Sequence, residues 1–200
     1  MKTFLHIGCG TKHKEQTTQG FNTPDWNELR LDIDDSCNPD YSCSITDMSV
    51  IKDASIDAIF SSHNIEHLYP HEVSLALREF KRVLKPEGFA VITCPDLQSV
   101  AALIADNKLT EPAYNSPAGA IAPLDIFYGH RPSMANGKVY MAHHCGFTQK
   151  VLTSTMLAAG FATVASIRRT HPFYDLWIIA SISSRDKSDM RLISAEHFPA

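Results

Sequence analysis

The residues best suited to ligand chemistry are a glycine turn and an acid that follows it. The apolar run from Phe4 to Ile7 ends in Gly8-Cys9-Gly10, the pattern of a buried strand that breaks into a tight turn. Asp32 ends the next strand candidate, close to the offset of roughly 20 residues at which dinucleotide-binding folds place an acid on ribose hydroxyls. A carboxylate can accept from two hydroxyls at once, so the pattern predicts a nucleoside site.

Asp32 also has a purely structural interpretation. A carboxylate at a strand end can pair with Arg30 or accept from a backbone amide, as Asp residues commonly do in turns. Asp34 is a second acid that competes for the same position. We favour the ribose role for Asp32.

Four histidines are candidates for a general base. Neutral imidazole is available near pH 7, so a reaction that removes a proton could use His63, His130, His143 or His144. Of these, His63, His130 and His143 are the catalytic candidates that we name. Each of them also has an ordinary interpretation as a hydrogen-bonded histidine.

Two groups of neighbouring polar residues are predicted to have structural roles. Glu66 and His67 are adjacent, and we expect them to hold a loop and the start of a helix rather than to act as an acid-base pair. Cys145 follows His143 and His144, but adjacent side chains diverge, and no second ligand pair stands at zinc spacing. We therefore predict no metal site.

The elements that must position these residues alternate between strand and helix. Apolar runs predict strands over residues 4–7, 28–33, 44–46, 56–61 and 89–94, and two more over 162–167 and 176–182. The last two have only a short connection, which requires an antiparallel pair. We predict an α/β fold with a doubly wound, Rossmann-like sheet that is mostly parallel and ends in an antiparallel hairpin.

Helices are expected on both sides of that sheet. Val73, Ala76, Leu77, Phe80 and Leu84 share one helical face within residues 72–85. Asp96 and Thr148 can each cap a later helix. Residues 11–27 are polar and interrupted by Gly20 and Pro24, so we expect no long helix after the glycine turn.

Residues 111–145 interrupt this pattern. They hold four prolines, three histidines and three tyrosines, and an irregular insertion of this length is usually functional. We predict that they form a lid over a small-molecule acceptor, with Arg131 and Lys138 suited to an acidic one. The alternative is that both cations are merely solvated.

Composition limits the class of protein. The 200 residues, 44% of them hydrophobic, are enough for a single domain over 1–200 with a substantial core. A formal net charge of -4 gives no overall attraction to nucleic acid, and no apolar stretch approaches the roughly 18 residues of a membrane span. We expect a cytoplasmic protein with a small-molecule partner, no nucleic acid and no membrane; a homodimer stays open.

Several stretches in order along the chain resemble class I S-adenosylmethionine-dependent methyltransferases, and the similarity is closest to the type 11 branch. Residues 55–68 resemble the family's fourth strand and the Glu-His-Leu segment after it, and residues 79–88 resemble its Glu-x-x-Arg-Val-Leu-Lys-Pro-Gly-Gly element. His144-Cys145-Gly146-Phe147-Thr148 and Ala158-Ala159-Gly160-Phe161 resemble its late helix. The resemblance spans about residues 3–182.

The resemblance implies S-adenosylmethionine as the cofactor and methyl transfer to a small molecule as the reaction. Asp47 would accept from the adenine amino group, Ile33 and Met48 would pack on the ring, and His63 and Asn64 would lie near the transferred methyl group. With the turn and Asp32, the implied cofactor residues are Gly8, Cys9, Gly10, Asp32, Ile33, Asp47, Met48, His63 and Asn64.

Two other functions compete with this one. His6 and Lys12 replace the acid and the third glycine that the family's first motif usually has, which keeps open a non-catalytic cofactor-binding or assembly protein. A nicotinamide-dependent oxidoreductase would want Gly-x-Gly-x-x-Gly, but His13 stands in the third place and would crowd the helix-strand contact. We rank the oxidoreductase last.

Overall fold

The computed structural model describes residues 1–199 and is built around a seven-stranded sheet. The described residues form the strands β1 (Lys2–Ile7), β2 (Trp26–Asp32), β3 (Tyr41–Ser42), β4 (Ile56–Ser62), β5 (Leu84–Pro95), β6 (Tyr114–Ser116), β7 (Gly119–Ile121), β8 (Thr163–Arg169) and β9 (Asp175–Ser181). β6 and β7 form a separate two-stranded hairpin, and the other seven strands form the sheet. The order in the sheet is β3-β2-β1-β4-β5-β9-β8. The first five strands pair in parallel, whereas β9 pairs antiparallel with both β5 and β8. The predicted fold class is confirmed.

Six α-helices accompany the sheet within the described residues. They are α1 (Val73–Val83), α2 (Leu97–Ala105), α3 (Pro123–Tyr128), α4 (Arg131–Ala135), α5 (Gln149–Ala158) and α6 (Lys187–His197). The predicted caps are confirmed: Asp96 accepts from the amides of Gln98 and Ser99, and Thr148 accepts from that of Val151. None of these helices is long and apolar enough to cross a lipid bilayer.

One face of the sheet carries the larger apolar core, which α1 and α5 cover. The predicted stripe of α1 is buried there, but the helix ends at Val83. Leu84, expected on the helix, instead begins β5, and Val83 supplies the last buried position. Alternation along β1 directs Leu5 and Ile7 into this core and Phe4 to the opposite face.

The opposite face of the sheet carries an aromatic core, which was not predicted. Phe21, from the connection after β1, stacks on Phe4 with 4.3 Å between ring centroids, and α6 completes the cover through Met190. The expectation of no long helix after the glycine turn is confirmed, since only the 3₁₀ turn Lys14–Gln16 forms there. α6 was not predicted.

The third strand was predicted at the wrong place. β3 is Tyr41–Ser42 rather than residues 44–46, and Tyr41 pairs with Leu31 of β2. The neighbouring Asp40 fixes this register, because its Oδ2 accepts from the Arg30 amide at 2.7 Å.

Residues 111–145 contain more regular structure than predicted. They form the β6–β7 hairpin, α3 and α4, and pack on α2 through a small core that includes Val100, Ile121 and Ile126. Their far end returns to the carboxyl edge of the parallel strands, where the amides of His144 and Cys145 donate to the Glu66 carbonyl.

Candidate functional site

The glycine turn after β1 is held in place by Asp32. Gly8 and Gly10 have φ angles of +61° and +51°, the left-handed conformation that glycine adopts without strain. The Gly10 amide donates to Asp32 Oδ2 at 2.8 Å, and the Asp34 amide donates to Oδ1 at 2.9 Å. Asp32 therefore does bind backbone amides, as its structural interpretation required, while each oxygen keeps a lone pair for a ligand.

Close packing explains why the first position of the turn is glycine. A Cβ placed on Gly8 would lie 1.7 Å from the Oδ1 atom of Asn64. The Asn64 amide group donates to the Ile7 carbonyl at 2.9 Å, so it clasps β1 where the turn begins. A Cβ on Gly10 would meet nothing within 4 Å, which leaves that backbone open to an approaching ligand.

Arg30 fixes the other side of the turn. Its buried guanidinium donates to the carbonyls of Gly10, Lys12, Cys37 and Asn38. These bonds tie the glycine turn to the loop after β2, and they use backbone carbonyls rather than the Asp32 carboxylate. Sequence reasoning missed this role because nothing in the local pattern indicates the four acceptors.

A cavity of about 580 Å³ opens at the carboxyl ends of β1, β2 and β4. Ligands of open α/β sheets bind at this edge, and the volume is typical of small-molecule sites. Residues from the parallel strands and from the far end of the insertion line it together, including Gly8, Gly10, Asp32, Ile33, Asp34, Cys37, Cys43, Ser44, Ile45, His63, Asn64, His67, Tyr69, Glu72, Ser133, Lys138, Tyr140, Met141 and His144.

The cavity brings together six of the nine residues implied for the cofactor: Gly8, Gly10, Asp32, Ile33, His63 and Asn64. Cys9 is buried in the turn, and burial raises the pKa of its thiol to about 11. Its side chain does not reach the cavity wall in the described structure.

Asp47 and Met48 lie away from the cavity, contrary to the adenine contacts that the resemblance implied. Met48 is fully buried in the core, and its amide donates to Glu79 Oε2 at 2.7 Å. Asp47 accepts from the Ser49 amide and so caps a turn. The earlier start of β3 is the reason, because it puts Ser44 and Ile45 at the cavity instead.

His63 is the catalytic candidate that faces the cavity. It has a φ of +56° directly after β4, and 47% of its side chain is exposed. Its Nδ1 lies 3.2 Å from Oε1 of the buried Glu66. The partial loss of hydration opposes protonation of His63, but the hydrogen bond and charge of the buried Glu66 outweigh it and raise the pKa of the imidazole.

Glu66 lies between His63 and a second pair of histidines. Atoms of Glu66, His67 and His143 that could serve as ligands all lie within 4.8 Å of one another. Burial opposes the charged form of Glu66, yet the hydrogen bond and charge of His63, with His67 and His143 nearby, lower the pKa of its carboxyl. Glu66 and His67 lie in the 3₁₀ turn Ile65–His67, and the fold brings His143 to them.

The other named histidines differ in position. His143 is away from the cavity wall, its Nδ1 lies 2.8 Å from the Ile126 carbonyl, and burial lowers the pKa of its imidazole. His130 precedes α4 and bonds Ser133 at 2.7 Å. His144 does line the cavity and stacks on Tyr69, with 4.1 Å between ring centroids.

The insertion reaches the cavity through a tyrosine and a lysine. The Tyr140 hydroxyl donates to Asp34 Oδ2 at 2.7 Å, and Lys138 Nζ lies 3.6 Å from the same atom. Arg131 instead makes a two-bond pair with the buried Asp125, so it is committed to the insertion itself. Asp34, considered only as a competitor of Asp32, is thus the contact point of the insertion.

Known proteins match both the fold and the amino-terminal half of the chain. Residues 5–92 match the type 11 methyltransferase family model, which is described as a methyltransferase domain. Solved S-adenosylmethionine-dependent methyltransferases share the fold over nine-tenths of the chain. The chain therefore has the class I methyltransferase fold, and its residues 5–92 are similar to a methyltransferase domain.

Three solved structures illustrate the likeness of this chain to known methyltransferases. A SAM-dependent methyltransferase from Archaeoglobus fulgidus has 15% identity and a TM-score of 0.57 over 90% of this chain and 86% of that one. A possible histamine N-methyltransferase from Thermotoga maritima has 15% identity and a TM-score of 0.60 over 92% of this chain and 83% of that one. The 1,6-didemethyltoxoflavin-N1-methyltransferase of Burkholderia thailandensis was solved with bound 1,6-didemethyltoxoflavin and S-adenosylhomocysteine. It has 15% identity and a TM-score of 0.59 over 91% of this chain and 71% of that one.

Identities at this level show the fold of the chain alone. A search of the curated proteins finds no match. The acceptor must therefore be argued from the cavity itself.

Proposed function

We propose that this methyltransferase transfers the methyl group of S-adenosylmethionine to a small molecule bound in the same cavity. One observation carries the proposal: a single cavity joins the Asp32 end of the parallel sheet to the aromatic and basic side chains of residues 138–144. A cofactor and an acceptor bound at its two ends would meet near His63 and Asn64.

The residues at the first end fit the cofactor. Asp32 has one free lone pair on each oxygen for the ribose hydroxyls. Gly8 and Gly10 let the backbone approach the methionine portion. Ile33, with 62% of its surface exposed, and Ile45 offer apolar contacts to the adenine ring in place of Met48.

The residues at the second end suit a flat, polar acceptor. The stacked Tyr69 and His144 provide an aromatic wall, and Tyr140 adds a second ring from the insertion. Lys138 provides a positive charge that would favour an acidic group. We therefore propose residues 111–145 as the acceptor lid, which the hydrogen bond from Tyr140 to Asp34 and the ion pair between Lys138 and Asp34 hold closed.

Methyl transfer depends first on the positioning of the two reactants. Bound S-adenosylmethionine supplies an activated methyl group, and the gain from holding two reactants in line can reach roughly 7–11 kcal/mol. A base is needed only where the acceptor must lose a proton. His63 is the best placed of the three catalytic candidates, since it faces the cavity while Glu66 orients its ring.

Calorimetric titration of the purified protein with S-adenosylmethionine, S-adenosylhomocysteine and NAD tests the cofactor assignment. We expect both adenosyl compounds to bind with one-to-one stoichiometry and NAD not to bind. Failure of both adenosyl compounds would overturn the proposal, and binding of NAD would favour the oxidoreductase.

Asp32→Ala tests the ribose contact, with Asp35→Ala as the matched control. Loss of hydrogen bonds to a charged group costs about 1.5–3 kcal/mol, so we expect roughly 10- to 100-fold weaker binding of S-adenosylhomocysteine to Asp32→Ala. Asp35 is exposed and outside the cavity wall, and its variant should bind normally. Equal affinity in the two variants would contradict the assignment.

A further inference from the structure

We propose that Glu66, His67 and His143 form a binding site for a divalent transition metal, for which zinc is the best match. The three residues come from the turn after β4 and from the end of the insertion, so the site exists only in the folded chain. The proposal does not depend on the identity of the acceptor or on methyl transfer.

Both histidines present the same free nitrogen. His67 Nδ1 lies 3.0 Å from the Ala142 carbonyl, and His143 Nδ1 lies 2.8 Å from the Ile126 carbonyl. A carbonyl oxygen can only accept, so each Nδ1 carries the proton and donates. Each Nε2 therefore keeps its lone pair. Metal-ligating histidines commonly have this arrangement, in which a carbonyl fixes the tautomer and the ring orientation.

The carboxylate provides the second, independent observation. The Glu66 side chain is 1% exposed, and one of its oxygens, Oε1, is hydrogen-bonded to His63. The other oxygen, Oε2, is buried and has no hydrogen-bond partner within residues 1–199. An unpaired buried carboxylate oxygen costs several kcal/mol unless a cation or donor meets it. A metal ion would satisfy Oε2 and both Nε2 atoms together.

The donor set and spacing favour zinc. Two imidazole nitrogens and one carboxylate oxygen are a known three-ligand set for zinc, with bonds of about 2.0–2.2 Å and an open fourth position. Tetrahedral geometry at those bond lengths separates ligand atoms by about 3.3 Å. The groups lie within 4.8 Å of one another, so small side-chain rotations close the site. His67 also lines the cavity, so the site adjoins it.

Zinc uptake by the full-length protein tests the site in the absence of any cofactor. After treatment with a chelator and its removal, the protein is titrated with zinc against a chromogenic competitor, and bound metal is counted by mass spectrometry. We expect one zinc per chain. Cobalt should bind in its place and give the visible absorption of a low-coordinate nitrogen and oxygen site without thiolate bands.

Variants then locate the ion. His143→Ala and His67→Ala should each weaken zinc binding more than about 100-fold, beyond the 10- to 100-fold that loss of an outer partner costs. His71→Ala is the control, since it removes an exposed histidine of the same neighbourhood outside the cluster, and it should bind as the wild type does.

Failure of the wild-type chain to take up zinc would overturn the proposal. So would uptake that survives both ligand variants, or cobalt spectra with thiolate bands, since either result would place the metal on other side chains such as the free cysteines. These readouts need no turnover, so they stand whether or not the protein methylates a substrate. Circular dichroism of each variant confirms that it has folded.

Discussion

Acidification should destabilise the protein through His197, the last residue of α6. The imidazole is 1% exposed, and its Nδ1 lies 2.6 Å from the buried Thr18 hydroxyl. It packs between Phe21 and Phe89, with ring centroids 4.3 and 5.2 Å away. The one charged neighbour among the described residues is the exposed Glu196, at 3.9 Å, which is too distant and solvated to offset the loss of hydration.

Burial lowers the pKa of His197 from its usual 6.5 to about 4. The unfolded chain therefore binds a proton that the folded chain refuses, and stability is lost as the pH falls from 6.5 toward 4. One pKa unit is worth about 1.4 kcal/mol, so the full loss is about 3 kcal/mol. Above pH 6.5 the histidine is neutral in both states and contributes no pH dependence.

Urea unfolding of the wild type and of His197→Gln, at several values between about pH 7.5 and pH 4, measures this loss. Glutamine keeps a polar partner for Thr18 but does not titrate in this range. His6 and His143 also have lowered pKa values and titrate in the same direction, so the difference between the two proteins isolates His197. Equal acid losses in both proteins would refute the reasoning, as would an imidazole pKa near 6.5 measured by NMR.

Two further predictions concern contacts that hold the loops around the sheet. Arg82→Ala should lower the free energy of unfolding by roughly 2–3 kcal/mol, because the guanidinium donates to the Met48 and Ile51 carbonyls and to Glu79. Urea titration measures this loss. A loss below about 0.5 kcal/mol would contradict the prediction, because substitutions at ordinary surface positions cost no more than that. Tyr140→Phe should raise the pKa of Asp34, which hydrogen bonds from Ser36 and then from Tyr140 hold at about 2. NMR titration of the Asp34 carboxyl measures it, and an unchanged pKa would show that the tyrosine does not bond there in solution.

Local patterns predicted the elements whose signals lie within one segment. The glycine turn, the stripe of α1 up to Phe80 and the terminal hairpin each follow from neighbouring residues, and these are confirmed. The position of Asp32 at the cavity was predicted in the same way, because the end of a parallel strand fixes where its last side chain lies.

Features set by distant contacts were missed or misplaced. The short β3 has little signal of its own, and its register depends on Asp40 binding the Arg30 amide. Met48 lies in the core, where its amide donates to Glu79, 31 residues away. No local pattern joins Glu66 and His67 to His143, since their proximity comes from the path of the insertion.

α6 was missed for the same reason, although Asp186 is a good cap and Met190 and His197 recur at helical spacing. The helix is polar on average, so its partner surface decides whether it forms. That surface includes Thr18 and Gly20, where a Cβ would lie 2.6 Å from the His197 ring.

The contact between Thr18 and His197, 179 residues apart, also bears on how the chain folds during synthesis. The aromatic face of the sheet stays open to water until α6 has left the ribosome, long after β1 and the glycine turn have emerged. A nascent chain therefore displays Phe4 and Phe21 as a surface on which chaperones or other chains can bind. Closure of this face should be a late, slow step of folding, because a contact of such sequence separation forms only after the sheet between its ends.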